Sequence, residues 1–117
     1  MASEEMFASS VRSTQDLAGV FEYDGGMGYF YLYDQRGGEE QRVVGAIRVL
    51  TTPPDFDQES ITVRWDKRER HVGLFIKHVL WAAFDSNTNE KFGGNYVTGM
   101  QPNIPIDVAR SLSLDDE

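Results

Sequence analysis

The stretch Leu17-Ala18-Gly19-Val20-Phe21-Glu22-Tyr23-Asp24-Gly25-Gly26-Met27-Gly28-Tyr29-Phe30-Tyr31-Leu32-Tyr33-Asp34 decides the fold class of this 117-residue chain. Asp24-Gly25-Gly26 separates two aromatic-rich runs, and Asp-Gly in that setting supplies the positive backbone angles that a tight hairpin needs. The segments Leu17–Tyr23 and Gly28–Asp34 therefore read as paired strands. With Gly25-Gly26 as a two-residue turn, Phe21 pairs with Phe30 and Tyr23 with Gly28. Strand side chains alternate, so Phe21, Tyr23, Phe30 and Leu32 share one face, and Tyr29, Tyr31 and Tyr33 share the other.

Working outward, the polar, Gly-rich loop 35–40 leads into Val43-Val44-Gly45-Ala46-Ile47-Arg48-Val49-Leu50, a β-branched third strand. Pro53-Pro54 ends it, because each proline removes a ladder donor. Ile61, Val63 and Trp65 alternate with Thr62, Arg64 and Asp66, the pattern of a half-buried strand. The tetrad Asp66-Lys67-Arg68-Glu69 reads as a turn, and Val72, Leu74 and Ile76 return to the same face. A four-residue loop there sets Arg64 opposite His71.

A tight turn at Lys77-His78 then pairs Leu74 with Trp81 and Phe75 with Leu80, which leaves the 72–84 hairpin apolar on both sides. Such a pair has to be covered twice: by a second sheet, a terminal helix or another subunit. Phe75, Leu80 and Phe84 are accordingly candidate interface residues. A seventh strand is expected around 95–99. Residues 3–11 offer an N-cap residue and early acids for a short helix burying Met6, Phe7 and Val11. Residues 105–112 suit one or two helical turns before the acidic tail Asp115-Asp116-Glu117. The expected organisation is an N-terminal arm or short helix over 1–16, an antiparallel β domain over 17–104, and a C-terminal segment over 105–117. The fold class is mainly β: a single-domain meander of six or seven strands forming a sandwich or open barrel, with short terminal helices.

Composition bounds the chemistry. There is no cysteine, which removes disulfides, thiolate nucleophiles and Cys-ligated metals and points to a reducing, cytoplasmic setting. Nineteen acids against 11 bases give a net charge of −8, so nucleic acid and anionic membrane are disfavoured and a basic protein partner would be steered favourably; a protein partner or self-association is the expectation, the latter resting on the two-sided apolar hairpin. The start Met1-Ala2-Ser3-Glu4-Glu5 lacks the basic and apolar regions of a secretory signal, and no run reaches the roughly 20 apolar residues of a spanning helix.

The run Val20-Phe21-Glu22-Tyr23-Asp24-Gly25-Gly26-Met27-Gly28-Tyr29-Phe30-Tyr31 resembles the opening of an uncharacterised bacterial family, the domain of unknown function numbered 2251. Members of that family continue with an "ALHIYNV"-like strand, a strand ending in Trp, and an "ALLINGYPHAIFDF"-like hairpin. Ala46-Ile47-Arg48-Val49, Val63-Arg64-Trp65, and Gly73-Leu74-Phe75-Ile76 through Phe84-Asp85 occupy those places in order. Lys77-His78-Val79-Leu80 stands where the family has Asn-Gly-Tyr-Pro. The resemblance, over roughly residues 18–102, implies a small β-rich fold and carries no activity with it.

Among side chains suited to binding, the row Tyr29, Tyr31 and Tyr33 offers broad rings with polar tips for a partner's apolar patch, a sugar or a base. The competing reading is a second, partly covered core face. Arg48, Arg64 and His71 add positive charge that suits a carboxylate or phosphate. His71 and His78 are the only histidines, too few for a His-rich metal site. Asp85-Ser86-Asn87-Thr88-Asn89 opens like a calcium loop, but Glu90 stands where its glycine belongs and Tyr96 where its bidentate Glu belongs. No catalytic residue, metal or cofactor is expected. The leading expectation is a non-catalytic protein-binding module, with a homodimer through its two-sided apolar hairpin as one form of it. A small-ligand or carbohydrate binder using the tyrosine face is the alternative, ahead of an enzyme.

Overall fold

The computed structural model describes residues 5–37, 42–52, 54–96 and 103–114. Among these, eight strands form two four-stranded antiparallel sheets. The first sheet runs β1 (Met6–Val11), β2 (Leu17–Tyr23), β3 (Gly28–Asp34) and β4 (Arg42–Leu50) in spatial order. The second runs β5 (Ile61–Trp65), β6 (His71–Ile76), β7 (Val79–Asp85) and β8 (Lys91–Gly93). A single α-helix among the described residues, α1 (Ile106–Leu114), follows. Each sheet is a meander, so every neighbour in sequence is a neighbour in space.

The two sheets share one core, which makes the fold a sandwich. Phe21, Phe30 and Leu32 of the first sheet meet Val72, Leu74, Ile76 and Phe84 of the second. The rings of Phe30 and Phe84 lie 5.3 Å apart across the interface. Gly19 and Gly45 permit this approach, since a Cβ would stand 2.6 Å from a Val72 methyl at the first and 2.7 Å from the Phe84 ring at the second.

The deciding hairpin forms in the expected register, with Phe21 opposite Phe30 and Tyr23 opposite Gly28. Asp24 stabilises its turn by accepting hydrogen bonds from Gly26 N and Met27 N at 2.9 and 2.8 Å, while Gly25 takes φ 99°. The turn at Lys77-His78 also forms, with both residues at positive φ (53° and 70°). That is the geometry a two-residue hairpin demands even of residues that adopt it reluctantly.

Four expectations are corrected. The N-terminal segment is a strand: Met6 and Ala8 turn into the core while Phe7, Ser9 and Val11 turn out. Hydrogen bonding along β2 outcompetes a helix too short to hold by itself. With β1 and β8 counted, the strands number eight where six or seven were expected. Leu74 pairs with Ala82 and not Trp81, because a bulge inserts Trp81 and lets both residues reach the core. The loop after Trp65 is longer than four residues, so Arg64 faces Gly73 where His71 was expected. The slip is an even number of residues, and Arg64 and His71 still share a face.

Beyond β8 the chain crosses from one sheet to the other. Gly93, Gly94 and Asn95 all have positive φ, and Asn95 N and Tyr96 N donate to Arg48 O and Val49 O on the edge of β4. A Cβ at Gly93 would stand 2.2 Å from Trp81 O, so only glycine fits there. Of the strand expected around 95–99, residues 97–99 lie outside the described residues, as do the acidic tail 115–117 and loop positions 38–41.

Candidate binding surface

The two sheets expose outer faces of different character. On the first sheet, cross-strand register sets three rows. Phe7, Glu22, Tyr29 and Arg48 form one, Ser9, Val20, Tyr31 and Ala46 the next, and Val11, Ala18, Tyr33 and Val43 the last. Successive tyrosines sit two residues apart on β3, so their rings stack along the strand: 5.7 Å from Tyr29 to Tyr31 and 5.6 Å from Tyr31 to Tyr33. Val20 and Ala18 point outward yet are buried beside this row. Partial burial, with the nearby charge of Glu22, pushes the Tyr31 and Tyr33 hydroxyls above the ordinary tyrosine pKa.

Phe7, Val11 and Val43 leave 54, 46 and 50% of their surface exposed on this face. Five large apolar residues are that open among the described residues, and these are three of them. Single exposed apolar residues are ordinary; three on one sheet face beside a tyrosine row form a patch.

Only two charges stand in those rows, Glu22 and Arg48, on either side of Tyr29. Two strand spacings separate them by roughly 10 Å, too far to pair with each other. Neither has an ion-pair partner among the described residues. Each belongs to a corner of its own sign. Arg48 and Lys91 line an open cleft of about 390 Å³ with Tyr29 and Asn95. Lys91 is held there by its Nζ donating to Ala46 O at 3.3 Å. Across the face, Glu22, Glu5 and Asp24 line a cleft of about 420 Å³ with Phe7 and Gln58. Gln58 fixes that edge by accepting from Phe7 N at 2.9 Å and donating to Phe7 O at 2.6 Å.

The outer face of the second sheet is closed by α1. Phe75, Leu80 and Ala83 pack under Val108 and Leu112, with Phe92 and Ile104 at the margin. Gly73 makes room, since a Cβ would lie 2.6 Å from a Leu80 methyl and 2.8 Å from a Leu112 methyl. Arg64 lays its guanidinium 4.0 Å from the centre of the Phe75 ring and donates to Leu112 O at 3.1 Å.

Beside the helix, polar groups that burial would otherwise penalise satisfy one another. Asp66 accepts from Arg70 N and His71 N at 2.9 and 3.2 Å, from the Ser111 hydroxyl, and from His71 Nδ1 at 2.9 Å. His71 Nε2 lies 3.6 Å from Asp85, which Arg70 grips at 2.9 to 3.2 Å. Burial raises the pKa of both carboxylates. Hydrogen bonds from Ser111 and His71 to Asp66, and from Arg70 to Asp85, outweigh it and hold both below the usual value.

The candidate residues are thus divided. Tyr29, Tyr31, Tyr33 and Arg48 share the open face, whereas Arg64 and His71 lie on the other sheet, engaged with α1 and the Asp66 cluster. The interface expected at Phe75, Leu80 and Phe84 is intramolecular: α1 covers the first two, and Phe84 is fully buried against Phe30. Phe7, Val11, Val43, Glu22 and Lys91 join the surface without having been singled out as binding residues. The period-two alternation of Met6, Ala8 and Ser10 with Phe7, Ser9 and Val11 was the signal that held two of them. Among the described residues no group of three or more His, Asp or Glu is arranged to hold a metal ion.

A family model described as an uncharacterised protein conserved in bacteria (DUF2251) matches residues 1–107. No curated protein and no solved structure matches the chain.

Proposed function

The chain belongs to the DUF2251 family of uncharacterised proteins conserved in bacteria, and on that premise we propose that it is a non-catalytic protein-binding module whose working surface is the outer face of the first sheet. One observation carries the reading: Phe7, Val11 and Val43 are open on the same face as the Tyr29, Tyr31 and Tyr33 row. Tyrosine rings supply contact area with little side-chain entropy to lose, and they recur at the centres of protein interfaces. The Asp66, His71 and Asp85 cluster supports the non-catalytic part, since its polar atoms hold each other and the helix. A cytoplasmic location goes with this reading, supported by the lack of cysteine. No helix among the described residues is long and apolar enough to cross a membrane.

The second reading, a binder of a small anionic or sugar ligand, draws on the cleft that joins Tyr29 to Arg48 and Lys91. The two part under photo-crosslinking in cells. Benzoylphenylalanine in place of Tyr31 is expected to join the chain to one protein identifiable by mass spectrometry, while the same probe in place of Arg68, in an exposed turn of the other sheet, is not. Equal capture at both positions, or none at position 31, would sink the protein-binding reading.

A further inference from the structure

We infer that the partner for this face is a second copy of the chain, docked face to face about a two-fold axis along β3, with Glu22 of each copy entering the Arg48 and Lys91 cleft of the other. The inference rests on the protein-binding reading and names its partner.

The argument begins with the arrangement of charge. Glu22 on β2 and Arg48 on β4 are each one strand away from Tyr29 on β3, in the same row. Rotation by a half-turn about an axis along β3 exchanges the β2 and β4 positions. Each acid then lies over the partner's base, and the tyrosine row meets itself on the axis. That is the self-complementarity an isologous interface requires. The corners obey the same exchange: Glu5, Glu22 and Asp24 gather on one side of Tyr29, Arg48 and Lys91 on the other.

Net charge works against pairing and so bears on which faces of two copies can meet. Two copies at −8 each repel one another over most orientations. The rows of this face hold one acid and one base, so they add no net charge to that repulsion. Neither charge has an ion pair among the described residues, and each would gain one. Four strands and three rows give an overlap of no more than roughly 400 Å² per copy. Over both copies that is no more than roughly 800 Å², below the roughly 1,200 Å² of stable assemblies, so the dimer is weak and reversible.

Sedimentation equilibrium of the full chain tests it, with Glu22→Arg and Arg48→Glu beside the wild type. The wild type is expected to dimerise reversibly, and each reversal to weaken the dimer by about tenfold or more. An equimolar mixture of the two reversed chains is expected to pair more tightly than either chain alone, because both contacts between positions 22 and 48 again join opposite charges, with Lys91 weakening one of them. Both positions are exposed, and if either reversal disturbed the circular dichroism spectrum, Glu22→Gln and Arg48→Gln would serve, each weakening the dimer a few-fold. A wild type monomeric at the highest attainable concentration overturns the inference, as does a mixture no tighter than either variant alone. A monomeric wild type whose position 31 still cross-links to one other protein removes the self-pairing and leaves the broader reading standing; without any such cross-link, both fall.

Discussion

The two outer faces of this sandwich carry comparable apolar content and opposite fates. On the second sheet, α1 lies over Phe75, Leu80 and Ala83, and its last turns are tied down through Ser111 and the Leu112 carbonyl. On the first sheet nothing among the described residues covers Phe7, Val11 and Val43, and the tyrosines shield only Ala18 and Val20. The difference shows how a sheet with two apolar faces is handled. One face is finished by the chain itself, with the buried carboxylates Asp66 and Asp85 given partners beside it; the other keeps polar tips on large rings and tolerates water.

The comparison breaks most severely if the helix loses its anchor. Leu112 is fully buried, so Leu112→Ala should cost about 2–5 kcal/mol in urea denaturation. It should also free Phe75 and Leu80 to bind an apolar dye. A loss under about 1 kcal/mol would mean that α1 is not the cover of that face.

Next in size is the polar fringe. Asp66→Asn removes the charge that Ser111, His71 and two backbone amides share and should cost about 1–3 kcal/mol. The pH dependence follows from the lowered values of Asp66 and Asp85. Their contribution is present in full above the unfolded carboxylate range, near about pH 4, and is lost as pH falls through the lower folded values. Thermal unfolding followed from neutral pH into acid should show the wild type losing stability there and Asp66→Asn losing less.

The open face should respond little in stability and strongly in association. Tyr31→Ala is expected to cost about 1 kcal/mol or less, while abolishing the dimer. A large stability loss would instead make the tyrosine row a second core. Smallest of all, Val43→Lys at a half-exposed position should change stability by no more than about 0.5 kcal/mol yet weaken association measurably in the same sedimentation experiment.

Much of this architecture was legible residue by residue. Asp24-Gly25-Gly26 announced the first hairpin and its register, because glycine at positive φ is cheap and two-residue turns leave no slack. The two-sided hairpin was legible too, as were helical turns over 105–112, where α1 (Ile106–Leu114) covers it. What misled was local: residues 6–11 are short enough to suit either period. Only the hydrogen-bonding edge of β2, which pairs Met6 with Tyr23 and Val11 with Ala18, makes them a strand. The Trp81 bulge had no signal of its own, since shape in the core decides where an extra residue is absorbed.

The site was half legible. Tyr29, Tyr31 and Tyr33 had to share a face once β3 was recognised, and Arg48 joined them through the β3–β4 register. The sequence by itself determined the hairpins, the alternation within each strand and the acidic balance, because these depend on neighbours a few bonds away. Only the tertiary structure decided that Arg64 and His71 serve the helix, that Lys91 reaches across to Ala46, and that Phe75 is hidden while Phe7 is not. Those outcomes depend on which sheet each hairpin joins and on which face the chain's last helix comes to rest. Both are set by the fit of the whole core, which no single stretch of residues encodes.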